Sequence, residues 1–498
     1  MLNAMRNRII GQLGVAACAA LALAAQPSTV EAKVRLPKVI GNNMVVQQQT
    51  DVRLWGWTEA NKTVKVTTSW DAKQVAKAKA NKEGYWEVRV ETPAASFDPL
   101  TITFNDGDEL TITGVLAGEV WICAGQSNME MPVRGFGNCP VEDFNNVALD
   151  ATEGIRSIKI PSVMSTKPLD DVPAQMWAEW RVSSPQTVPD FSATGYFFAQ
   201  TLRRAMPGVP IGIIEANKGG TRVESWLSEE NLKKYTQEVL DSTEIIKKFE
   251  WDYHYPLLWG NGTFNPVRRS TVAGIVYYQG CSNVGDPKGQ YTDRLKILVD
   301  QWREWFGNPE LPFYFVQIAP YSYGDVMGTN GAELREQQFQ ATKVIANSGM
   351  VCTADLVYPY EREQIHPTRK REVGQRLGFM ALKRNYGFSN IIADSPTARD
   401  VWAQGDSIYV TFDQMDGGYN RMDDIVGFEV AGADGVYHPA KAGHFWVPGE
   451  DKRNESVWVS SPEVKSPKSV RYCFRNFLIG NLGNAGGLPV VPFERTVQ

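Results

Sequence analysis

The chain has 498 residues, 43% hydrophobic and 21% charged, with a formal net charge of −5. At roughly 100–200 residues per domain this length holds about two to four cores. The mild acidity and the lack of any basic run give no footing for a nucleic-acid partner, and four histidines without metal-ligand spacing argue against a structural zinc site.

Residues 1–32 read as an export signal: Arg6 and Arg8 precede an apolar run over 14–25, with small-x-small cleavage points at Ala22-Leu23-Ala24 and Val30-Glu31-Ala32. The run is shorter than the ~20 residues of a membrane span. Val15-Ala16-Ala17-Cys18 offers a competing lipoprotein box, but the apolar stretch continues past Cys18, which favours a secreted or periplasmic product. After cleavage Cys123, Cys139, Cys281, Cys352 and Cys473 remain, an odd set that leaves at least one thiol unpaired and is no disulfide framework.

Residues 33–115 predict a small β-sandwich domain. "MVVQQ", "VRLWGW", "KTVKVTTSW", "YWEVRVE" and "LTITF" are short Val-, Thr- and aromatic-rich runs divided by turns. Over 116–386 the pattern becomes α/β. "EVWICAG", "IRSIKIP", "VPIGIIEAN", "VAGIVYYQG", "PFYFVQIAP" and "SGMVCTADL" are near-continuous apolar strands of the kind buried on both faces. Helices are predicted over 290–306, with Tyr291, Leu295, Leu298, Trp302 and Trp305 on one face, and over 368–384. Alternation of this kind argues a parallel sheet covered by helices. Residues 387–498 return to β in "DSIYVTF", "IVGFEVAG", "ESVWVSS" and "SVRYCF", and the Gly/Pro-rich close "NLGNAGGLPVVPFERT" is expected on the surface. The 15 Trp and 18 Tyr suit sugar-binding surfaces, although most aromatics fill cores.

Four features sit at predicted ends of the central strands: Gly125-Gln126-Ser127-Asn128, Asn217-Lys218-Gly219-Gly220-Thr221, Gln279-Gly280-Cys281-Ser282-Asn283, and Ile365-His366-Pro367 before the last helix. In a parallel sheet all four share one edge, where such folds bind ligands. Singly, each has a plainer reading: a serine caps a helix, glycines and asparagine make turns, a histidine fills a core. Together they supply acyl transfer. Ser127 is a nucleophile needing a base. His366 is that base. The Ser127 and Gly220 N–H groups and the Asn283 amide are oxyanion donors.

"GEVWICAGQSNMEMPV", "NKGGTRVESWLS", "YYQGCSNV" and "IHPTRKREVGQRLG" resemble the sialate O-acetylesterase family of the SGNH hydrolases, and the likeness extends into the flanking β regions. The resemblance implies a flavodoxin-like three-layer α/β/α domain between β-rich segments. It implies Ser127 as nucleophile, His366 as base, and Gly220 and Asn283 in the oxyanion blocks. The reaction implied is hydrolysis of an acetyl ester on a sugar hydroxyl, typically of sialic acid, without metal or organic cofactor. Two positions depart from the family pattern: Cys281 stands where Glu is common, and Gln364 where many members carry Asp. Glu363 then becomes the first candidate for the third catalytic role, with Asp355 behind it. Without either, the pair is a dyad with a backbone carbonyl fixing the tautomer. Gln126, Arg222 and Gln279 are expected to contact substrate, with Glu130, Glu224, Arg335 and Gln338 as further candidates. Arg222 is the group expected to meet a sugar carboxylate. An acetylxylan-type esterase and a glycan-binding protein with a decayed site are the rival readings.

Overall fold

The computed structural model describes residues 34–235, 242–415, 417–420, 423–446, 449 and 455–497. The expected export segment, Cys18 included, lies outside the described residues.

Six strands open the described chain: β1 (Val45–Gln47), β2 (Asp51–Trp57), β3 (Thr63–Thr68), β4 (Asp71–Lys79), β5 (Tyr85–Glu91) and β6 (Ser96–Asn105). The antiparallel β2–β5 ribbon shares a core with β3 and β6, Trp86 meeting Phe104 at 5.7 Å. Strand β4 escapes the sequence reading. It pairs only with β3, is exposed along most of its length, and carries Lys73, Lys77 and Lys79. A lysine-rich edge resists further pairing, and its alternation sets only the small Ala76 and Ala78 toward the core, a weak apolar signal.

Strand β7 (Glu109–Gly125) joins two parts of one sheet. Its first half pairs antiparallel with β6 and parallel with β1. The chain then adds β8 (Ile155–Lys159), β9 (Arg181–Val182), β10 (Ile211–Asn217), β11 (Gly274–Tyr278), β12 (Phe313–Val316) and β13 (Ser348–Val351). The order is β13-β12-β11-β7-β10-β8-β9, parallel throughout except for β8–β9. All six apolar runs read from the sequence are strands of this sheet.

The helices are α1 (Ser127–Glu130), α2 (Phe144–Leu149), α3 (Ala193–Ala205), α4 (Glu229–Tyr235), α5 (Ser242–Lys248), α6 (Gln290–Phe306), α7 (Asn330–Val344) and α8 (Lys370–Asn385). Side chains alternate across a strand. Trp121 and Cys123 of β7 therefore enter one core with Tyr196 and Leu202 of α3 and Leu377 and Met380 of α8. Ile122 and Ala124 enter the other, with Leu295, Leu298 and Trp302 of α6 and Leu334 of α7. Helix α8 begins two residues after the predicted start, because the Thr368 N–H is drawn to the Glu361 carboxylate before the first turn.

The C-terminal strands form two four-stranded sheets over one core. One contains β14 (Thr397–Gln404), β15 (Ser407–Asp413), β18 (Lys441–Phe445) and β19 (Ser456–Ser460), the other β16 (Phe428–Ala431), β17 (Tyr437–Pro439), β20 (Ser469–Tyr472) and β21 (Phe493–Thr496). The closing stretch is not on the surface as expected. Leu482, Val490 and Phe493 are core residues, and the buried Asn484 amide folds the glycine-rich turn inward by accepting from Gly486 and Leu488 N–H groups.

Trp302 stacks on Phe264 with ring centroids 4.1 Å apart and planes 7° apart. Trp302→Ala is expected to lower unfolding free energy by about 3–5 kcal/mol in urea titrations. Trp177→Ala, at a side chain 62% exposed, should change it by about 0.5 kcal/mol or less.

Candidate active site

The inner strands end level: Gly125 is in register with Asn217 of β10 and Tyr278 of β11. The chain leaves β7 at Gly125 with φ +136°, where a Cβ would collide with the Tyr278 carbonyl. Only glycine makes that exit. The Gln126 N–H then bonds the Tyr278 carbonyl, and α1 starts at Ser127.

The histidine arrives from a loop far along the chain. Glu361 closes that loop, accepting the Tyr358 N–H at 2.8 Å and the Thr368 N–H at 2.9 Å. Asn128, next to the serine, donates from Nδ2 to the Ile365 carbonyl at 3.0 Å, clipping the loop to α1. Gln364 turns back to accept the His366 N–H. The result sets His366 Nε2 2.7 Å from Ser127 Oγ.

The other ring nitrogen has an unexpected neighbour. Nδ1 lies 3.8 Å from Cys139 Sγ, a residue the sequence reading left without a role. The Cys139 thiol donates to Asn138 Oδ1 at 3.3 Å, which leaves sulfur lone pairs toward the ring. Neither candidate acid reaches the imidazole. Glu363 is exposed and accepts the Ser322 hydroxyl at 2.8 Å. Asp355 takes a bidentate pair from Arg376 at 2.7 and 2.6 Å. Spacing of three residues does not bring Glu363 to the ring, because the loop turns its side chain outward to Ser322. Burial and the Lys370 ammonium push the His366 pKa down to about 4, so the ring is neutral near pH 7. Lys370 is itself buried, bonded to the Pro367 carbonyl, and its pKa falls to about 7 through desolvation.

The expected oxyanion donors separate into two kinds. Among the described residues the Ser127 and Gly220 N–H groups have no partner. Gly220 holds φ +78° and is half-exposed. Asn283 does not serve. It is fully buried, with its Nδ2 hydrogens on Glu224 at 3.0 Å and Asp286 at 2.9 Å, and its Oδ1 accepting from Val223 and Gln279. The Val223 N–H fixes the amide orientation, so no donor faces outward.

The expected substrate contacts also shift. Gln126 is buried, its side-chain carbonyl accepting the Gly280 N–H at 2.8 Å. Gln279 is buried too, donating to the Thr221 carbonyl and Asn283 and accepting from the Tyr291 hydroxyl. Arg222 grips Asp286 through Nη2 at 2.8 and 3.0 Å rather than standing open for a sugar carboxylate. Glu224 is buried between Arg222 and Arg294. Glu130 accepts the Gly219 N–H at 2.6 Å and so positions the glycine turn. Gln338 is buried among the Gln279 and Val316 carbonyls and the Ile318 N–H. These side chains hold the loops from behind. No cluster of three or more metal-capable side chains occurs among the described residues.

Arg335 is 0% exposed, and its Nε and Nη1 have no partner. Nη2 bonds the Arg475 carbonyl. Its electrostatic neighbours are Tyr323, Cys473, Cys352 and Cys281, none of them a carboxylate. Cys281, where Glu is the common residue, thus leaves a buried guanidinium short of a counter-charge. Cys281→Glu is expected to raise unfolding free energy by about 1–3 kcal/mol, read as a higher denaturation midpoint. An unchanged or lower midpoint would show that Arg335 needs no carboxylate.

Comparison with known proteins places the chain in a family. The profile of the carbohydrate esterase, sialic acid-specific acetylesterase family matches residues 117–383. Sialate O-acetylesterase from Homo sapiens is 27% identical over 406 residues, covering 74% of each chain. That from Mus musculus is 26% identical over 437 residues, 76% of this chain and 79% of the mouse protein. The crystal structure of a carbohydrate acetylesterase from Xanthomonas citri superposes with a TM-score of 0.81 at 30% identity, over 93% of this chain and 99% of the other. An esterase-type serine–histidine pair at the strand ends of a mixed α/β sheet, together with these matches, assigns the chain to the sialic acid-specific acetylesterase family of carbohydrate esterases.

Proposed function

We propose that this esterase removes O-acetyl groups from a glycan sugar, sialic acid or a related one, with Ser127 as nucleophile and His366 as general base. The observation that carries the reading is the 2.7 Å contact between Ser127 Oγ and His366 Nε2. Oγ attacks the acetyl carbonyl carbon while Nε2 takes its proton. The oxyanion is held by the Ser127 and Gly220 N–H groups. Collapse expels the sugar oxygen, which leaves with the proton from His366. Water, deprotonated by the same ring, then attacks the acetyl-serine and releases acetate. With Glu363 and Asp355 engaged elsewhere, the machinery is a dyad, and Cys139 Sγ rather than a carbonyl or carboxylate faces Nδ1.

Residues 116–386 are taken as a flavodoxin-like, three-layer SGNH esterase domain, with 33–115 and 387–498 as flanking β domains. The helices on both sheet faces and the family match over 117–383 support that division. Secretion or a periplasmic address rests on the sequence at 1–32 alone. A neutral plant glycan such as acetylated xylan is the second reading, favoured by the pairing of Arg222 with Asp286, which removes the expected partner of a sialic acid carboxylate.

Ser127→Ala is expected to lower kcat by at least about 10⁴-fold without altering the circular dichroism spectrum. The test is acetate release from O-acetylated sialic acid and from acetylated xylan, wild type beside variant, and retained turnover would remove this mechanism.

The pH dependence has a definite sign. The base must be neutral, and its folded pKa is about 4. Turnover should therefore persist well below pH 6 and fall as pH drops through about 4. Stability moves the same way. The unfolded chain binds the His366 proton more readily, so this group's contribution declines from its ordinary value, near 6.5, down to about 4. A rate profile that already breaks near pH 6.5 would contradict the buried, cation-flanked imidazole.

A further inference from the structure

The segment Trp251-Asp252-Tyr253-His254-Tyr255 carries aromatic surface that the reaction steps leave without a role. Trp251 is 49% exposed and Tyr253 half-buried. Their rings are parallel within 8°, with centroids 5.8 Å apart. Tyr253 lies against the proposed oxyanion glycine: a Cβ on Gly220 would stand 2.5 Å from Tyr253 Cδ2. The preceding glycine abuts the nucleophile, where a Cβ on Gly219 would stand 3.3 Å from Ser127 Cβ. The two glycine α-carbons are about 3.8 Å apart. The path from Ser127 through Gly219 and Gly220 to Tyr253 and Trp251 is therefore continuous.

The segment is held in place. Trp259 Nε1 donates to the Asp252 carbonyl at 3.0 Å, and the His254 N–H returns to the Trp251 carbonyl. Its surroundings are polar at the rim, with Asp252 exposed, and burial together with the nearby Arg222 lowers the pKa of His254. A flat apolar face with a polar rim suits the C–H face of a pyranose, whose hydroxyls point outward to water. Arg222, held by Asp286, leaves stacking rather than an ion pair as the sugar-holding device.

We propose that Trp251 and Tyr253 form a stacking subsite for a pyranose ring of the acetylated glycan, beside the acetyl-bearing sugar held at Ser127. The subsite rests on the esterase reading above.

The experiment compares kcat/KM on partially acetylated xylo-oligosaccharides and on O-acetylated sialic acid with kcat/KM on p-nitrophenyl acetate, which has no sugar. Trp251→Ala should lower the sugar-to-nitrophenyl ratio roughly tenfold for the acetylated sugar the wild type prefers, mainly through KM. Trp251→Phe should restore most of that loss. Trp177→Ala, elsewhere on the surface, should shift the ratio less than about twofold. An unmoved ratio in Trp251→Ala, a parallel fall on both substrate types, or an equal fall in Trp177→Ala overturns the subsite. Wild type active on p-nitrophenyl acetate but on neither sugar ester also overturns it. Wild type inert on all three esters refutes the esterase reading itself.

Discussion

The register of three parallel strands is the constraint on which the site depends. Because Gly125 stands level with Asn217 and Tyr278, the loops that follow β7, β10 and β11 leave the sheet at one height. Ser127, Gly220 and the Gln279–Asn283 turn are then neighbours without any loop reaching for another. A one-residue slip in either pairing would also turn every β7 side chain to the opposite core. Trp121, buried among Phe198 and Tyr314, could not exchange faces with Ile122 without leaving voids on one side and clashes on the other.

Close to that edge the histidine of the proposed mechanism has a cation, Lys370, for company rather than a carboxylate. Lys370 and Arg335 are both buried, and the imidazole faces a thiol. Burial and the Lys370 ammonium therefore disfavour the imidazolium. Glu361 sits nearby but serves the backbone: its two oxygens close the histidine loop. Precision of the Ser127–His366 pair thus comes from Glu361 and Asn128, which fix the loop, more than from a third catalytic side chain.

A layer of side-chain amides and carboxylates backs the loops. Gln126 joins the serine loop to Gly280, Gln279 and Asn283 join the third loop to Thr221 and Val223, and Glu130 holds Gly219. Several of these residues were expected in contact with substrate. Their residue types suit either task, since an amide that orients a loop and an amide that orients a ligand look alike in a sequence. What distinguishes them is whether their donors and acceptors are already paired, and that depends on chain segments tens to hundreds of residues away.

The sequence alone determined the parallel core and singled out the Ser127 and His366 loops that the fold brings together. Its apolar strand runs can only be buried on both faces, and glycine at 125 and 220 marks backbone that no side chain tolerates. Ser127 and His366 were legible because each sits at a predicted strand or loop end with a chemistry of its own. Edge strand β4, the buried C-terminal turn at Asn484, and helices α3 and α7 were not read: β4 alternates only alanine with lysine, α7 has a weak apolar period, and the period of α3, although present, was overlooked. Only the tertiary structure decided that Cys139 faces the imidazole, that Glu363 turns away, that Asn283 and Arg222 are paired inward, and that Tyr253 lies on Gly220. The reason is physical: periodicity records which face of an element is buried, whereas a contact between residues 139 and 366 has no trace at either position until the fold has brought the two loops together.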